Sequence, residues 1–433
     1  MQKLHIISLG CSKNLVDSQV MLGKLRDYEL TQDLGEADVI IINTCGFLQA
    51  AKEESLGHIF EALDTRKSGA LVVASGCLVA RYEKELRELI PEIDILTGVG
   101  DFDKIDSMIA TKKGINSDKV YLSEDSRLIT DSNIHTYIKI SEGCNQTCSF
   151  CAIPSFKGKL QSRSIESILK EIEDLARLGY EDFSFIAQDS SSYLLDKGVK
   201  DGLIKLINAV HAQGLVKSAR ILYLYPSSTS FALLDSIANS KVFASYFDMP
   251  LQHINPQILA HMQRSSKDVK ALLAHMKQVP DAFIRSSVIV GYPTESDVQF
   301  DELCEFVESY KFDRLNIFEY SSEEGTKAGA LEVLPKSIVT KRIKKLNKIV
   351  LKQQDKLFKA MVGKKYEAII EGKSEISEYF YSARLKAWAP EIDGEILINE
   401  GEIKGAGYYE VEVLDSKDGI LVGKALRHFE SLD

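Results

Sequence analysis

Residues 143–151 read Gly143-Cys144-Asn145-Gln146-Thr147-Cys148-Ser149-Phe150-Cys151 and follow an apolar-alternating run at 135–140. Three thiols spaced Cys-x-x-x-Cys-x-x-Cys can enclose one inorganic centre, because thiolate is a soft ligand that suits zinc or iron–sulfur clusters. Such centres normally have four ligands, and this loop supplies three. In a 4Fe–4S cluster one iron would therefore stay open for a ligand from outside the protein. The alternatives are a zinc knuckle with a distant fourth ligand and three unrelated cysteines.

The spacing of these cysteines resembles the signature of the radical S-adenosylmethionine enzymes, and the aromatic Phe150 before the last cysteine matches it too. The resemblance implies that Cys144, Cys148 and Cys151 hold a 4Fe–4S cluster whose open iron is chelated by the methionine moiety of S-adenosylmethionine. We assign the pocket for this cofactor to Phe150, Gln188 and Gly291. A short motif is a hypothesis until its structural context agrees.

Length and composition restrict the class of protein. A chain of 433 residues is too long to fold around one hydrophobic core of ordinary size, so two or three domains are expected. No run reaches the apolar length that crosses a bilayer and the first residues lack a charged leader, which predicts a cytoplasmic protein without membrane contact. Seven cysteines favour reduced, metal-binding thiols over a disulfide framework. A net charge of −10 argues against a protein that coats nucleic acid, so RNA contact would need a local basic patch.

The first predicted domain, 1–130, is an open parallel sheet. Apolar β-branched runs at 4–9, 38–43 and 70–75 alternate with helix-like segments, as in a sheet that is covered on both faces. A cysteine follows each run, at Cys11, Cys45 and Cys77. Ligands bind at the carboxyl ends of parallel strands, so we expect these three thiols to converge. The alternative is that Cys45 and Cys77 are small buried hydrophobic residues at strand ends.

The segment 9–18 resembles the N-terminal domain of the radical S-adenosylmethionine methylthiotransferases. In that family three such cysteines hold a second 4Fe–4S cluster, and its open iron binds the sulfur that will be transferred. The resemblance implies this role for Cys11, Cys45 and Cys77. The wording Cys-Ser-Lys-Asn-Leu-Val-Asp-Ser at 11–18 resembles the branch that modifies an aspartate of a ribosomal protein, the RimO branch. The tRNA-modifying branch usually reads Gln-Met-Asn there.

The middle domain, 131–335, is predicted as a partial (β/α)6 barrel, which makes the chain an α/β protein. Strand patterns alternate with amphipathic helices, and chemistry in such folds lies at the carboxyl ends of the strands. The six predicted strands are 136–140, 182–187, 219–224, 246–249, 283–290 and 314–318. Polar or Gly/Pro clusters follow several of them, including the ones that contain Gln188 and Gly291. His253 also follows a strand, but a structural role is the commoner one for such a histidine.

Two short sequences in this domain can be compared with the corresponding sequences of the methylthiotransferases. The string Pro250-Leu251-Gln252-His253 is similar to the ribosomal-protein branch, whereas the tRNA enzymes typically have Pro-Val-Gln-Ser-Gly. The string Phe156-Lys157-Gly158 departs from both branches, which commonly show Arg-Gly. Lysine keeps the charge of arginine but lacks its planar fork, so a bidentate contact at this point is in doubt.

A basic linker helix, 336–365, and a small all-β domain, 366–433, complete the prediction. The linker carries many lysines and Arg342 against the one acid Asp355, and an apolar stripe that includes Leu346 predicts packing on the middle domain with a basic outer face. A solvated face is the default for such a run, and RNA contact is the alternative. Five short alternating runs follow, which indicate a five-stranded barrel or sandwich that resembles the TRAM domain.

The resemblance spans all three domains and implies an enzyme that attaches a methylthio group to the β-carbon of an aspartate in a small-subunit ribosomal protein. It implies two 4Fe–4S clusters, S-adenosylmethionine, an electron donor protein, and RNA contact through the basic helix and TRAM domain if the substrate lies within the ribosomal subunit. One alternative is a methylthiotransferase for an adenosine of tRNA. The other is a non-catalytic, metal-containing protein that binds ribosomes.

Overall fold

The computed structural model describes residues 1–117, 121–122, 127–130 and 132–429. The predicted boundary between the first and middle domains falls at residue 131, which lies outside the described residues, as do the last four residues of the third domain. No helix of the described chain is long and apolar enough to cross a membrane.

The N-terminal part is a parallel sheet with helices on both faces, as predicted. Successive residues of its central strand point to opposite faces, so that Val39 and Ile41 enter one hydrophobic core and Ile40 and Ile42 enter the other. The strands lie in the order β2-β1-β3-β4-β5. Its elements are β1 (Lys3–Ser8), α1 (Ser12–Lys24), β2 (Glu29–Leu30), β3 (Val39–Thr44), α2 (Gln49–Thr65), β4 (Leu71–Gly76), α3 (Cys77–Leu89), β5 (Ile95–Thr97) and α4 (Ile105–Thr111).

The middle part contains six parallel strands in two groups of three, ordered β6-β9-β10 and β11-β12-β13. The groups meet where Leu224 N donates to Asp248 O at 2.8 Å, and a parallel bridge joins Ala219 to Phe243. This arrangement confirms the partial (β/α)6 barrel. Its elements are β6 (His135–Lys139), β7 (Ser141–Glu142), α5 (Ile153–Lys157), β8 (Gln161–Ser162), α6 (Ile165–Arg177), β9 (Asp182–Ile186), α7 (Gly202–Gln213), β10 (Ser218–Ile221), α8 (Phe231–Ala238), β11 (Tyr246–Asp248), α9 (Pro256–His261), α10 (Val269–Gln278), β12 (Phe283–Val290), α11 (Asp297–Tyr310) and β13 (Arg314–Glu319).

A long helix and a closed five-stranded barrel complete the chain, so the predicted α/β fold class is confirmed. The barrel closes in the order β14-β15-β16-β18-β17, and β17 pairs with β14. These elements are α12 (Lys336–Met361), β14 (Lys365–Lys373), β15 (Tyr381–Leu385), β16 (Ile396–Glu400), β17 (Gly407–Lys417) and β18 (Ile420–His428).

Helix α12 corrects one detail of the predicted basic face. Leu346 is fully buried against the middle core, as the stripe predicted. Arg342 is buried as well, although the sequence placed it among the residues of the basic outer face. Its guanidinium donates to Glu295 at 2.6 Å and to Asp297 at 2.7 Å. The two carboxylates at the start of α11 therefore draw this arginine inward.

The C-terminal barrel packs on the amino ends of strands β9 and β10. Asp182, the first residue of β9, is fully buried and accepts hydrogen bonds from Arg220 and from Arg384 of the barrel. Tyr408 of the barrel and Ser218 of β10 share a hydrogen bond of 2.9 Å. The C-terminal barrel therefore does not cover the carboxyl ends of the middle strands, where a (β/α) barrel carries its site. These ends are available for packing against the N-terminal part of the chain.

Candidate active site

The loop that carries Cys144, Cys148 and Cys151 follows β6 and β7 and leads into α5. Its turns are held by Cys144 N, which donates to Gly158 O at 3.1 Å, and by Cys151 N, which donates to Cys148 O at 3.1 Å. Gly143 has φ +77°, and a Cβ there would lie 2.2 Å from the carbonyl oxygen of Lys159. Only glycine fits at this point, because the returning backbone passes so close.

The other three predicted thiols lie at neighbouring strand ends of the N-terminal sheet. Cys11 precedes α1, Cys45 follows β3, and Cys77 begins α3. A Cβ on Gly10 would lie 2.7 Å from Cys45 Sγ, so the first two loops are in contact. A Cβ on Gly46 would lie 2.8 Å from the carbonyl oxygen of Cys77, which brings the third loop to the second. The absence of a side chain at both glycines lets the three loops approach closely.

All six of these cysteines line one cavity of about 900 Å³ between the N-terminal and middle parts. Its walls include Phe47, Phe150, Phe156 and Phe318, so most of the lining is apolar. Within the described residues, no group of three or more His, Cys, Asp or Glu side chains is arranged to hold a metal ion. The six thiols instead surround a space that is large enough for bulky inorganic and organic groups.

The environment of the thiols determines what they can bind. Burial raises the pKa of Cys77 to about 12, of Cys144 to about 11 and of Cys151 to about 12, and it also raises the pKa of Cys45. Without a bound cation these four thiols are therefore protonated at neutral pH. A metal centre would supply the positive charge that converts them to thiolate ligands.

Two of the three residues assigned to the cofactor pocket reach this cavity. Phe150 and Gln188 line it, and the Gln188 side-chain amide donates to Glu142. Gly291 is not among the lining residues. Its φ is +85°, and a Cβ there would lie 2.8 Å from the Val339 side chain, so helix α12 packs directly over it. The structure does not bring Gly291 to the cavity.

Lys157, where arginine is common, is buried and lines the same cavity. Its ammonium lies 3.7 Å from a carboxylate oxygen of Asp17 and 3.5 Å from one of Glu142. Burial lowers the pKa of this lysine, but Glu142 and other nearby acidic groups outweigh that effect and raise it. Lys157 therefore acts as a point charge between two carboxylates and makes no bidentate contact with either.

His253 has the structural role that the sequence favoured. It is fully buried, its Nδ1 accepts a hydrogen bond from Asn255 N at 3.0 Å, and its Nε2 lies 3.3 Å from Glu295 Oε1. It is not among the residues that line the cavity. These contacts fix the chain after β11.

Sequence reasoning missed several polar residues of the cavity. Arg264 stacks on Tyr225 with 4.1 Å between the guanidinium carbon and the ring centroid, and it donates to Cys148 Sγ at 3.5 Å. The ammonium of Lys13 lies 3.9 Å from the ring centroid of Tyr223. Lys13 lies two residues after Cys11, and this proximity was an available signal. Arg264 lies in no motif that we recognised.

Comparisons with known proteins follow the same three-part division. Residues 3–98 match the "Uncharacterized protein family UPF0004", residues 138–307 match the "Radical SAM superfamily", and residues 362–426 match the "TRAM domain". Among solved structures, a radical S-adenosylmethionine methyltransferase, TsrM from Kitasatospora setae, has a TM-score of 0.57 at 14% identity. The match covers 76% of this chain and 77% of TsrM. At this identity the likeness concerns the fold alone.

Curated relatives match over the whole length. A protein of Helicobacter pylori (strain J99), named "Ribosomal protein uS12 methylthiotransferase RimO", is 57% identical over 435 residues, which cover 99% of each chain. The protein of the same name from Helicobacter hepaticus is 56% identical over 441 residues, which cover 99% of this chain and 98% of the relative. Identity at this level through all three parts shows that the chain belongs to the RimO family of ribosomal protein uS12 methylthiotransferases.

Proposed function

We propose that this protein attaches a methylthio group to the β-carbon of an aspartate in the small-subunit ribosomal protein uS12. The observation that carries the proposal is the single cavity that six cysteines from two parts of the chain line together. Transfer of sulfur to a carbon atom requires the sulfur source and the carbon to meet in one enclosed space. The substrate is taken from the name of the Helicobacter relatives.

We assign each trio of cysteines to one 4Fe–4S cluster. Cys144, Cys148 and Cys151 would hold the cluster that binds S-adenosylmethionine, and Cys11, Cys45 and Cys77 would hold the cluster that carries the sulfur. The donor set fits, because three thiols per cluster leave one iron open. The close packing at Gly10 and Gly46 also fits, since it draws three loops that are distant in sequence around one space.

The bound clusters and S-adenosylmethionine would supply radical cleavage of an unactivated C–H bond and a methylated sulfur, chemistry that no side chain provides. The protein positions these groups and keeps water out. Phe47 and Phe318 form apolar walls near the cysteines. Phe150 and Gln188 are our candidates for contacts with S-adenosylmethionine. Gly291 packs under α12, so it would influence the S-adenosylmethionine pocket only indirectly, by positioning the residues that follow β12.

The Arg264 side chain is a candidate for orienting the loop of the first cluster. One nitrogen donates to Cys148 Sγ at 3.5 Å, and the other donates to Pro250 O at 2.6 Å. A guanidinium so held would fix the Cys148 side chain relative to the chain at Pro250.

We assign a role to each part of the chain. Residues 1–130 would hold the sulfur-carrying cluster, 131–335 would carry out the radical reaction, 336–365 would form a linker, and 366–433 would contact the ribosomal subunit. Helix α12 supports RNA contact, because many of its lysines, among them Lys341, Lys344, Lys348, Lys352 and Lys356, are exposed. Such a stripe is suited to phosphate groups. Reduction of the clusters would require an electron donor protein, and this set of partners implies action in the cytoplasm.

Mass spectrometry of uS12 after incubation with the reconstituted enzyme, a reductant, a sulfur source and S-adenosylmethionine tests the function. We expect one aspartate to gain a methylthio group and tRNA in a parallel reaction to remain unmodified. Modification of tRNA alone would establish the rival substrate. Zinc without acid-labile sulfide in anaerobically purified protein would favour the non-catalytic alternative.

Two variants test the division of labour between the trios. Cys148→Ala should abolish both cleavage of S-adenosylmethionine and transfer. Cys11→Ala should abolish transfer while cleavage continues, because the first cluster remains intact. If Cys11→Ala also stops cleavage while its remaining iron and sulfide correspond to an intact first cluster, the proposed division is wrong.

A further inference from the structure

The middle barrel is open, and the outer edges of its first and last strands differ. At the first strand, β6, two arginines bond to outward carbonyl groups. Arg127 donates to Tyr137 O at 2.8 Å, and Arg163 donates to Lys139 O at 3.1 Å. The last strand, β13, pairs with β12 alone within the described chain. The edge at β6 is therefore occupied, and the question is what occupies the edge at β13.

The direction of each peptide group in β13 follows from its bond to the neighbouring strand. Tyr320 N donates to Val290 O at 2.9 Å, and peptide groups alternate between the two sides of a strand. Tyr320 and every second residue before it therefore face β12, whereas the N–H and C=O groups of Leu315, Ile317 and Glu319 face outward. No hydrogen bond from the described chain reaches these outward groups. An edge with such unpaired groups is a template for another strand.

A groove of about 430 Å³ lies along this strand, between residues 312–318 and the face of α12 from Asn347 to Gln354. We call it the β13 groove. Its helix wall carries Leu351, which is 63% exposed, and its strand wall carries Phe318, which is 45% exposed. Arg314 also lines it, and the buried Nε of this residue has no hydrogen-bond partner within the described residues. The groove therefore combines apolar surface with unpaired backbone groups.

The β13 groove and the cavity of the six cysteines share one wall. Phe318, near the carboxyl end of β13, lines both spaces. A strand rises about 3.3 Å per residue, so the six residues of β13 extend over about 20 Å. A polypeptide segment that pairs with β13 would therefore be led along the groove and past Phe318 into the cavity.

We propose that an extended segment of uS12 next to the modified aspartate binds in the β13 groove and adds as a strand to β13. This inference rests on the proposed function and names the surface that recognises its substrate. Main-chain hydrogen bonds would supply affinity, and the walls at Leu351 and Phe318 would select apolar side chains of the segment. Pairing of two copies of this chain at β13 is disfavoured, because it would bring two lysine-rich α12 helices together.

Residue-resolved hydrogen exchange of the reconstituted enzyme, with and without purified uS12, tests the pairing. The amides of Leu315, Ile317 and Glu319 should exchange at least about tenfold more slowly when uS12 is bound, because the added strand accepts hydrogen bonds from them. The amide of Leu30, in the edge strand β2 of the N-terminal sheet, should exchange at the same rate in both samples.

Two pairs of variants test the two walls of the groove through the equilibrium affinity for uS12. Glu319→Pro removes an outward N–H that β12 does not use and should weaken binding about tenfold, whereas Glu319→Ala keeps the N–H and should bind as wild type. Leu351→Glu would place a charge against the added strand and should also weaken binding about tenfold. Leu178→Glu, at a leucine that is 70% exposed outside the groove, should not. Because Leu351 is exposed, its variant remains informative if Glu319→Pro fails to fold.

Three results would overturn the inference. The first is unchanged exchange at Leu315, Ile317 and Glu319 while uS12 is bound. The second is wild-type affinity of Leu351→Glu for uS12. The third is slowed exchange at these amides that depends on enzyme concentration without uS12, which would identify a second copy as the occupant. Methylthiolation is scored separately. Modified uS12 with unchanged exchange contradicts this inference alone, whereas wild-type enzyme that neither binds nor modifies uS12 contradicts the proposed function as well.

Discussion

The contact that holds the two trios of cysteines toward one cavity can be broken by a single substitution, Glu323→Gln. Glu323 follows β13 in the middle part, and its side chain is 1% exposed. It accepts a hydrogen bond at 3.0 Å from Lys52 of α2 and another at 3.0 Å from Arg81 of α3. Arg81 also donates at 2.6 Å to the carbonyl of Gly46, beside Cys45. Glu323 therefore joins the middle barrel to the loop of one proposed cluster ligand.

The expected loss follows from the burial of these groups. Removing one member of a buried ion pair costs about 3–5 kcal/mol, because the remaining charge is left without a partner. Lys52 is 13% exposed and partly recovers its hydration, so we expect the lower value, about 3 kcal/mol. If the closed arrangement of the two parts bears this loss, its population relative to an open arrangement falls about 150-fold.

The assay is the ratio of methylthiolated uS12 to 5'-deoxyadenosine formed, together with hydrogen exchange in α2 and α3. Glu323→Gln should lower the ratio at least tenfold and accelerate exchange in both helices, while S-adenosylmethionine is still cleaved. Glu324→Gln is the matched control, because that side chain is exposed and Arg81 contacts only its backbone carbonyl. An unchanged ratio and unchanged exchange in Glu323→Gln would refute this role for the contact.

Three further predictions concern other parts of the chain. Gly10→Ala should reduce the iron bound by the N-terminal trio of cysteines, because the new Cβ would lie 2.6 Å from Cys45 Cβ. Gly57→Ala should not reduce it, because a Cβ at Gly57 would meet open space. Equal iron content in the two variants would contradict this prediction. Asp182→Asn should destabilise the chain toward urea by about 3–5 kcal/mol at pH 7, because the buried Arg220 would lose the carboxylate with which it pairs. Burial raises the pKa of Asp182, but its arginine partners outweigh that effect and lower the pKa. The stabilisation that ionised Asp182 contributes is therefore complete above about pH 4 and is lost as the pH falls through the lowered pKa of the folded protein. A stability difference between wild type and variant that persists at strongly acid pH would contradict the pairing. Arg342→Met should increase hydrogen exchange at the start of α12, because the ion pair between Arg342 and Glu295 is lost. Lys341→Met should leave this exchange unchanged. Identical exchange in the two variants would argue against the ion pair as an anchor of α12.

Local sequence patterns were sufficient to predict the three-part fold. Alternation of side chains along a strand and the helical repeat both report which face of an element is buried, so the runs near β1, β3 and β4 indicated a sheet covered on both sides. Short or weakly patterned elements were missed, such as β2 and β5, since two or three residues carry too little periodicity to distinguish a strand. The buried position of Arg342 was also missed, because its partner Glu295 lies 47 residues earlier, in the loop before α11.

For the candidate site, the sequence determined the identity of the six cysteines and the close spacing of Cys144, Cys148 and Cys151. Only the tertiary structure placed both trios on one cavity, excluded Gly291 from its lining, and put Lys13 near the charges of Glu142 and Lys157. The physical reason is that these relations join side chains from different elements, up to about 140 residues apart between Lys13 and Lys157. Periodicity describes the environment of each element by itself, whereas the partner of a buried charge depends on how the elements pack together.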